Sequence, residues 1–175
     1  MKRRLILAMA PLVLVIARAG PAPAQTWTDY RTDDGRYHIQ LPGPLTVRTV
    51  PLPLGNNESA PMTEVIAAGA GGTSYQLAYV NYPSRISQAA STDVLLDRVR
   101  NNMGAGNVVR GEKKLTLGRF PGREYLVVEP NGRNTAVRIY WVRGRLYQLM
   151  AAGGPGIEAR PETAKFLDSF EAVTP

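Results

Sequence analysis

His38 is the only histidine in the chain, and there is no cysteine. Any imidazole chemistry must therefore centre on one residue, and thiolate chemistry is absent. A general base works when it is held beside a nucleophile and oriented by a third group. No Gly-x-Ser-x-Gly elbow occurs, and no Ser, Thr or acid stands at a spacing that ties it to His38. Tyr37, Ile39 and Leu41 alternate with His38 and Gln40, which places the histidine on the polar face of a strand. The expectation is an exposed strand histidine and no catalytic residue. Zinc takes three or four His, Cys or carboxylate ligands, and here only scattered carboxylates remain. Asp29, Asp33, Asp34 and Gly35 invite a calcium loop, but counting back from Gly35 puts Tyr30 first and Thr32 third, with no closing glutamate. Turn chemistry accounts for that segment better. Of the glycine clusters at 69–72, 104–106 and 153–156, the first joins two strands and the second follows a helix, so neither has the strand-then-helix setting of a phosphate loop. No metal and no cofactor are expected.

Two weaker signals point to binding. Between Arg110 and Arg145 lie nine basic residues against three acidic ones. A sheet with that excess suits an anionic partner, either an envelope protein or an anionic surface, with Arg138, Arg143 and Arg145 as the candidate contacts. Nucleic acid is not expected, because no basic-aromatic recognition motif is present. The second signal is aromatic. Tyr75, Tyr79, Tyr140 and Tyr147 fall in strand-like segments and are candidates to line a groove for a small molecule, although strands favour aromatics for packing alone.

The elements that must position these residues are mostly strands. Trp27–Tyr30 and Tyr37–Leu41 flank the Asp-rich turn, and Thr46–Val50 is a short extended piece that Pro51 and Pro53 should end. Met62–Ala68 and Ser74–Tyr82 form a hairpin across Gly69, Gly71 and Gly72. A helix capped by Ser91 or Thr92 carries Leu95, Leu96, Val99 and Met103 along one face. Val108–Leu117, Arg123–Val128, Ala136–Val142 and Arg145–Ala151 follow as strands, the last two joined at Arg143-Gly144 by a tight turn. Pro161 opens a closing helix to Phe170. Strands in runs, with one helix between them and one after, predict α+β: an antiparallel sheet with helices packed on it.

Lys2, Arg3 and Arg4 precede an apolar run from Leu5 to Ala17, and Ala22-Pro23-Ala24 supplies a small-x-small cleavage site. Residues 1–24 therefore read as a secretory signal peptide, with no transmembrane segment after cleavage and one domain from 25 to 175. Cleavage removes four of the 21 basic residues and none of the 14 acidic ones, so the formal charge drops from +7 to +3. Export makes the product periplasmic or secreted.

The segments Gly35–Gly43, Tyr75–Tyr79, Phe120–Glu124, Arg145–Leu149 and Phe166–Phe170 together resemble the landmarks of small secreted bacterial domains of the PsbP-like kind. The resemblance implies an α/β/α sandwich. It also implies a role as an accessory or binding subunit, and it brings no catalytic residues. The sequence thus predicts an exported, non-catalytic binding domain, with a small-molecule carrier or an enzyme of unfamiliar design as the alternative. Expressed with its leader in a bacterial host, the protein should appear outside the cytoplasm with Gln25 as its first residue by intact-mass measurement. An intact mass that retains Met1–Ala24 would overturn the cleavage site.

Overall fold

The structure is a computed structural model that describes residues 26–173 except 33 and 56; the segment 1–24, read above as an export signal, lies outside the described residues. Its strands are β1 (Trp27–Arg31), β2 (Tyr37–Pro42), β3 (Leu45–Gly55), β4 (Glu58–Ala68), β5 (Ser74–Asn81), β6 (Val108–Leu117), β7 (Phe120–Val128), β8 (Asn134–Val142), β9 (Arg145–Gly153) and β10 (Glu171–Ala172). Helices α1 (Ser84–Ser87), α2 (Thr92–Met103) and α3 (Pro161–Asp168) interrupt them. Seven strands make one antiparallel sheet in the order β3-β4-β5-β9-β8-β7-β6, and a small sheet has the order β1-β2-β10.

Strand alternation sends side chains from the large sheet into two separate cores. From β8, Ala136, Tyr140 and Val142 enter one core, while Val137, Ile139 and Trp141 enter the other. The first face is covered by β2 of the small sheet, through Tyr37, Ile39 and Leu41, and by Phe166 and Leu167 of α3. The second face is covered by α2, which buries Leu95 and Leu96, and by the tip of the β3–β4 hairpin. The architecture is the expected α+β sandwich, with a small sheet sharing one outer layer with α3.

Local chemistry sets the ends of these elements. The Ser91 hydroxyl accepts from the Val94 N–H at 3.4 Å, satisfying one free donor of α2. Pro161 takes the first turn of α3, where its missing N–H costs nothing. Beyond α3, the Ser169 hydroxyl accepts from the Gln40 N–H at 2.9 Å and donates to the Phe166 carbonyl at 2.8 Å, stitching the helix end to β2. At the β8–β9 turn both Arg143 and Gly144 have positive φ, +49° and +83°. A two-residue turn of this kind matches the strand twist, and Arg143 is held in a conformation that L-residues visit rarely.

The prolines behave differently from expectation. Strand β3 runs through Pro51 and Pro53 to Gly55 instead of ending before them. It is an edge strand, and Pro51 stands opposite Pro61 of β4, so neither residue of that pair can donate to the other. The missing N–H groups of Pro51 and Pro53 therefore fall on the outer edge of β3, and that of Pro61 falls beyond the end of the pairing with β5, so no ladder hydrogen bond is interrupted.

Helix α2 is positioned by a buried arginine. Arg123 of β7 lies on the α2 face with its side chain 4% exposed. Its Nη2 is 2.5 Å from Asp93 Oδ1 and 3.5 Å from Asp97 Oδ1, and its Nε is 3.7 Å from Glu112 Oε1. Asp93 and Asp97 are four apart and share one side of the helix. The hydrogen bond from Arg123 is the chief reason that the Asp93 carboxyl sits below its ordinary value. Arg123→Ala should lower the urea unfolding midpoint more than Arg123→Met does, because Met keeps the packed stem while the helix carboxylates return to water. Equal losses in the two variants would show that the ion pairs, not the stem, hold the helix.

Candidate binding site

A bulge in β6 reorganises the surface of the large sheet. In β6, Arg110 faces Leu126 of β7 and Lys113 faces Glu124, so Gly111 and Glu112 together oppose Tyr125 alone. Gly111 has φ +64°, the left-handed conformation of a bulge whose first residue is glycine. In an unbroken strand residues three apart point to opposite faces. The extra residue puts Arg110 and Lys113 on the same face, the one that carries α3. Glu112 and Lys114 go to the other face, where Glu112 meets Arg100 at 3.2 Å and Lys114 meets Asp93 at 3.6 Å.

The two cations stand at the mouth of a cavity of about 400 Å³ between the β6–β8 side of the sheet and α3. Leu126, Ala136 and Leu167 give it an apolar lining, and Ala164 of α3 contributes a small side chain. Arg110 is exposed and has no ion pair among the described residues. Lys113 Nζ lies 3.5 Å from Glu124 Oε1 with its side chain 70% exposed. Glu158, in the short turn before α3, is the acidic residue nearest the helix side of the lining. An apolar hollow with a few converging polar groups is the usual form of a small-ligand site.

Arg138, Arg143 and Arg145 do not form one surface. Arg138 is committed to two carboxylates, with Nε 2.5 Å from Glu124 and Nη1 2.6 Å from Asp168 at the end of α3. Arg145 is buried; its Nε donates to Asn81 Oδ1 at 2.7 Å and its Nη2 reaches Asp34 Oδ2 at 3.3 Å. Its guanidinium also lies over the Tyr79 ring, 4.9 Å from the centroid. Arg143 alone is exposed, at the tip of the turn. The basic segment carries its excess charge largely because it supplies the partners of acids elsewhere in the chain. Strand alternation cannot reveal this, since those acids come from residues 34, 93 and 168.

Tyr75, Tyr140 and Tyr147 are packed into the core, and Tyr79 packs against it. Tyr75, Tyr140 and Tyr147 are at most 5% exposed, and Tyr79 is half-buried. Tyr147 meets Tyr37 edge-on at 5.4 Å and Phe170 at 5.1 Å, while Tyr140 stacks on Phe170 at 5.8 Å. Tyr75 packs edge-on against Phe166 at 5.3 Å. Burial pushes the phenols of Tyr75, Tyr140 and Tyr147 above the ordinary value, so they stay neutral. Cross-strand register explains the cluster: Tyr79, Tyr147 and Tyr140 stand side by side on β5, β9 and β8.

His38 Nδ1 lies 3.3 Å from Glu171 Oε2, where β10 pairs with β2. Among the described residues no three His, Cys, Asp or Glu side chains converge as metal ligands do. Asp34 belongs to a turn closed by the Gly35 N–H donating to the Thr32 carbonyl at 2.8 Å. Of the candidate contacts read from the sequence, Arg138 lines this cavity; the other lining residues carry no motif. One signal was available: a glycine inside the basic strand segment Arg110-Gly111-Glu112-Lys113, since a strand glycine marks a bulge.

Burial raises the Asp34 carboxyl, but the Thr32 hydroxyl, the Arg36 backbone N–H and the Arg145 charge act the other way, and the balance lies below the ordinary 3.8. A carboxyl lowered by folding stabilises fully above its unfolded value and loses that contribution as the pH falls through the folded one. Asp34→Asn should cost about 1 kcal/mol near neutrality, a modest figure because water screens a partly exposed pair. The gap in thermal midpoint from the parent should narrow as the pH falls through and below 3.8. A gap that stays constant over that fall would show that the hydrogen bonds and charge around Asp34 carry no electrostatic stabilisation.

No protein-family model matches the chain, and no curated protein matches it in sequence. Solved structures do match. The solution structure of cyanobacterial PsbP (CyanoP) from Synechocystis sp. PCC 6803 superposes with a TM-score of 0.57 at 12% identity, over 90% of this chain and 99% of that one. A Pseudomonas aeruginosa protein of unknown function aligns at 14% identity and a TM-score of 0.40, over 79% of this chain and 90% of that one. With identity this low the likeness to CyanoP is one of architecture: the chain is built on the PsbP-like fold.

Proposed function

We propose that this protein is an exported, non-catalytic binding or accessory domain of the cell envelope, and that it binds through the cavity between α3 and the bulged edge of the large sheet. The observation that carries this reading is the bulge at Gly111, which turns Arg110 and Lys113 to the same side above an apolar hollow. Bulges of this kind re-aim side chains next to functional sites. Arg110 offers an unpaired guanidinium among the described residues, the group best suited to an anionic partner. The non-catalytic reading draws on the position of the one histidine, which is paired with Glu171 across β2 and β10. The envelope location rests on the signal-like leader; among the described residues, no helix is long and apolar enough to cross a membrane.

The test is site-specific photocrosslinking in intact cells of the source. A crosslinker at Lys113 is expected to give an adduct in the envelope fraction that weakens in high salt and is lost on Arg110→Glu. The same crosslinker at Arg98, on the exposed side of α2, should give none. Adducts from Arg98 and not from Lys113 would move the site to the opposite face, and their absence from both positions would overturn the binding reading.

A further inference from the structure

We infer that the cavity takes a small monocarboxylate with a compact apolar body, its carboxylate at Arg110 and Lys113 and its apolar part over Leu126 and Ala136 toward α3. This rests on the binding reading above and names the class of ligand. Register across four strands supplies the geometry. Arg110, Leu126, Ala136 and Ala151 stand in one cross-strand row, and Lys113, Glu124, Arg138 and Leu149 in the next. The first row changes from cationic at the sheet edge to apolar within two strands. The second is a ladder of alternating charge whose inner members are already satisfied.

Charge accounting limits the ligand to one negative charge. Arg138 is saturated by Glu124 and Asp168, and Lys113 shares Glu124 at 3.5 Å. Only Arg110 among these cations has no carboxylate partner in the described residues. A dianion such as phosphate would find one spare cation, and an extended anionic surface would also meet Glu158 on the other wall. A planar carboxylate matches the guanidinium fork. The apolar requirement comes from Leu126, Ala136, Ala164 and Leu167, whose alanines leave the hollow open. About 400 Å³ lies in the lower part of the range for small-molecule sites. Confinement on this scale favours a short chain or a single ring over a long acyl tail.

The probes are octanoate, octanol, octylammonium and inorganic phosphate, titrated separately into the mature 25–175 protein and followed by NMR of Leu and Ala methyl groups. Octanoate is expected to shift the methyls of Leu126, Ala136, Ala164 and Leu167, and the other three probes to bind at least about tenfold more weakly. Arg110→Ala combined with Lys113→Ala should weaken octanoate about tenfold, the loss of one charge-assisted contact. Ala164→Phe fills the hollow from an exposed helix position and should abolish binding with the thermal midpoint retained; Ala164→Met serves if the larger ring perturbs α3. Octanol binding as tightly as octanoate would remove the role of charge. Phosphate binding as tightly would remove the role of the apolar lining. Octylammonium binding more tightly would reverse the sign and assign the site to Glu158. Each of these overturns the ligand class while leaving a binding cavity. No methyl shift with any probe would overturn the cavity reading as well.

Discussion

A guanidinium inside a protein must keep carboxylates or carbonyls against it, because an unpaired buried charge costs several kcal/mol. Three adjacent strands of this sheet each place one arginine under a covering layer, and each arginine has its partner in a different element. Arg123 of β7 reaches the first turns of α2, Arg138 of β8 reaches the end of α3, and Arg145 of β9 reaches the turn between β1 and β2. Apolar packing would let those layers slide, since contact between smooth apolar faces has little directional preference. The arginines fix where each layer lands. Their net contribution to stability is small in principle, as desolvation offsets attraction; their effect is on position.

The bulge in β6 serves two of these arrangements at once. By advancing the strand one residue it hands Glu112 to the α2 face, where the glutamate completes the acidic surroundings of Arg123 and pairs with Arg100. The same step delivers Lys113 to the α3 face beside Glu124 and Arg138. A clamp on one side of the sheet and a cavity mouth on the other thus depend on a single left-handed glycine. A bulky residue at Gly111 would meet open space but not a comfortable backbone, so its cost would be conformational.

Much of this fold was legible in the sequence. The 3.6-residue stripe Leu95, Leu96, Val99 and Met103 located α2, and Arg143-Gly144 located the turn between β8 and β9. Resemblance in scattered segments pointed to the same sandwich as the superposition on CyanoP. What sequence could not give was pairing. The partners of Arg145 and Arg138 lie 111 and 30 residues away, so a local excess of arginine looked like a surface. The tyrosines had the spacing of a groove lining and also of a core; only cross-strand register, which stacks Tyr79, Tyr147 and Tyr140 beneath β2, separates the two. Strand β10 is two residues long, too short for periodicity to reveal.

Pro51 and Pro53 have an implication that reaches beyond the single molecule. An open sheet offers its outermost strand as a template on which identical chains can stack and polymerise. Here the long edge strand β3 is spoiled as a template, because two of its outward positions have no hydrogen to donate. The opposite edge is broken by the bulge in β6. Neither end of the sheet is a growth point: copies crowded together while folding have no straight edge along which to propagate.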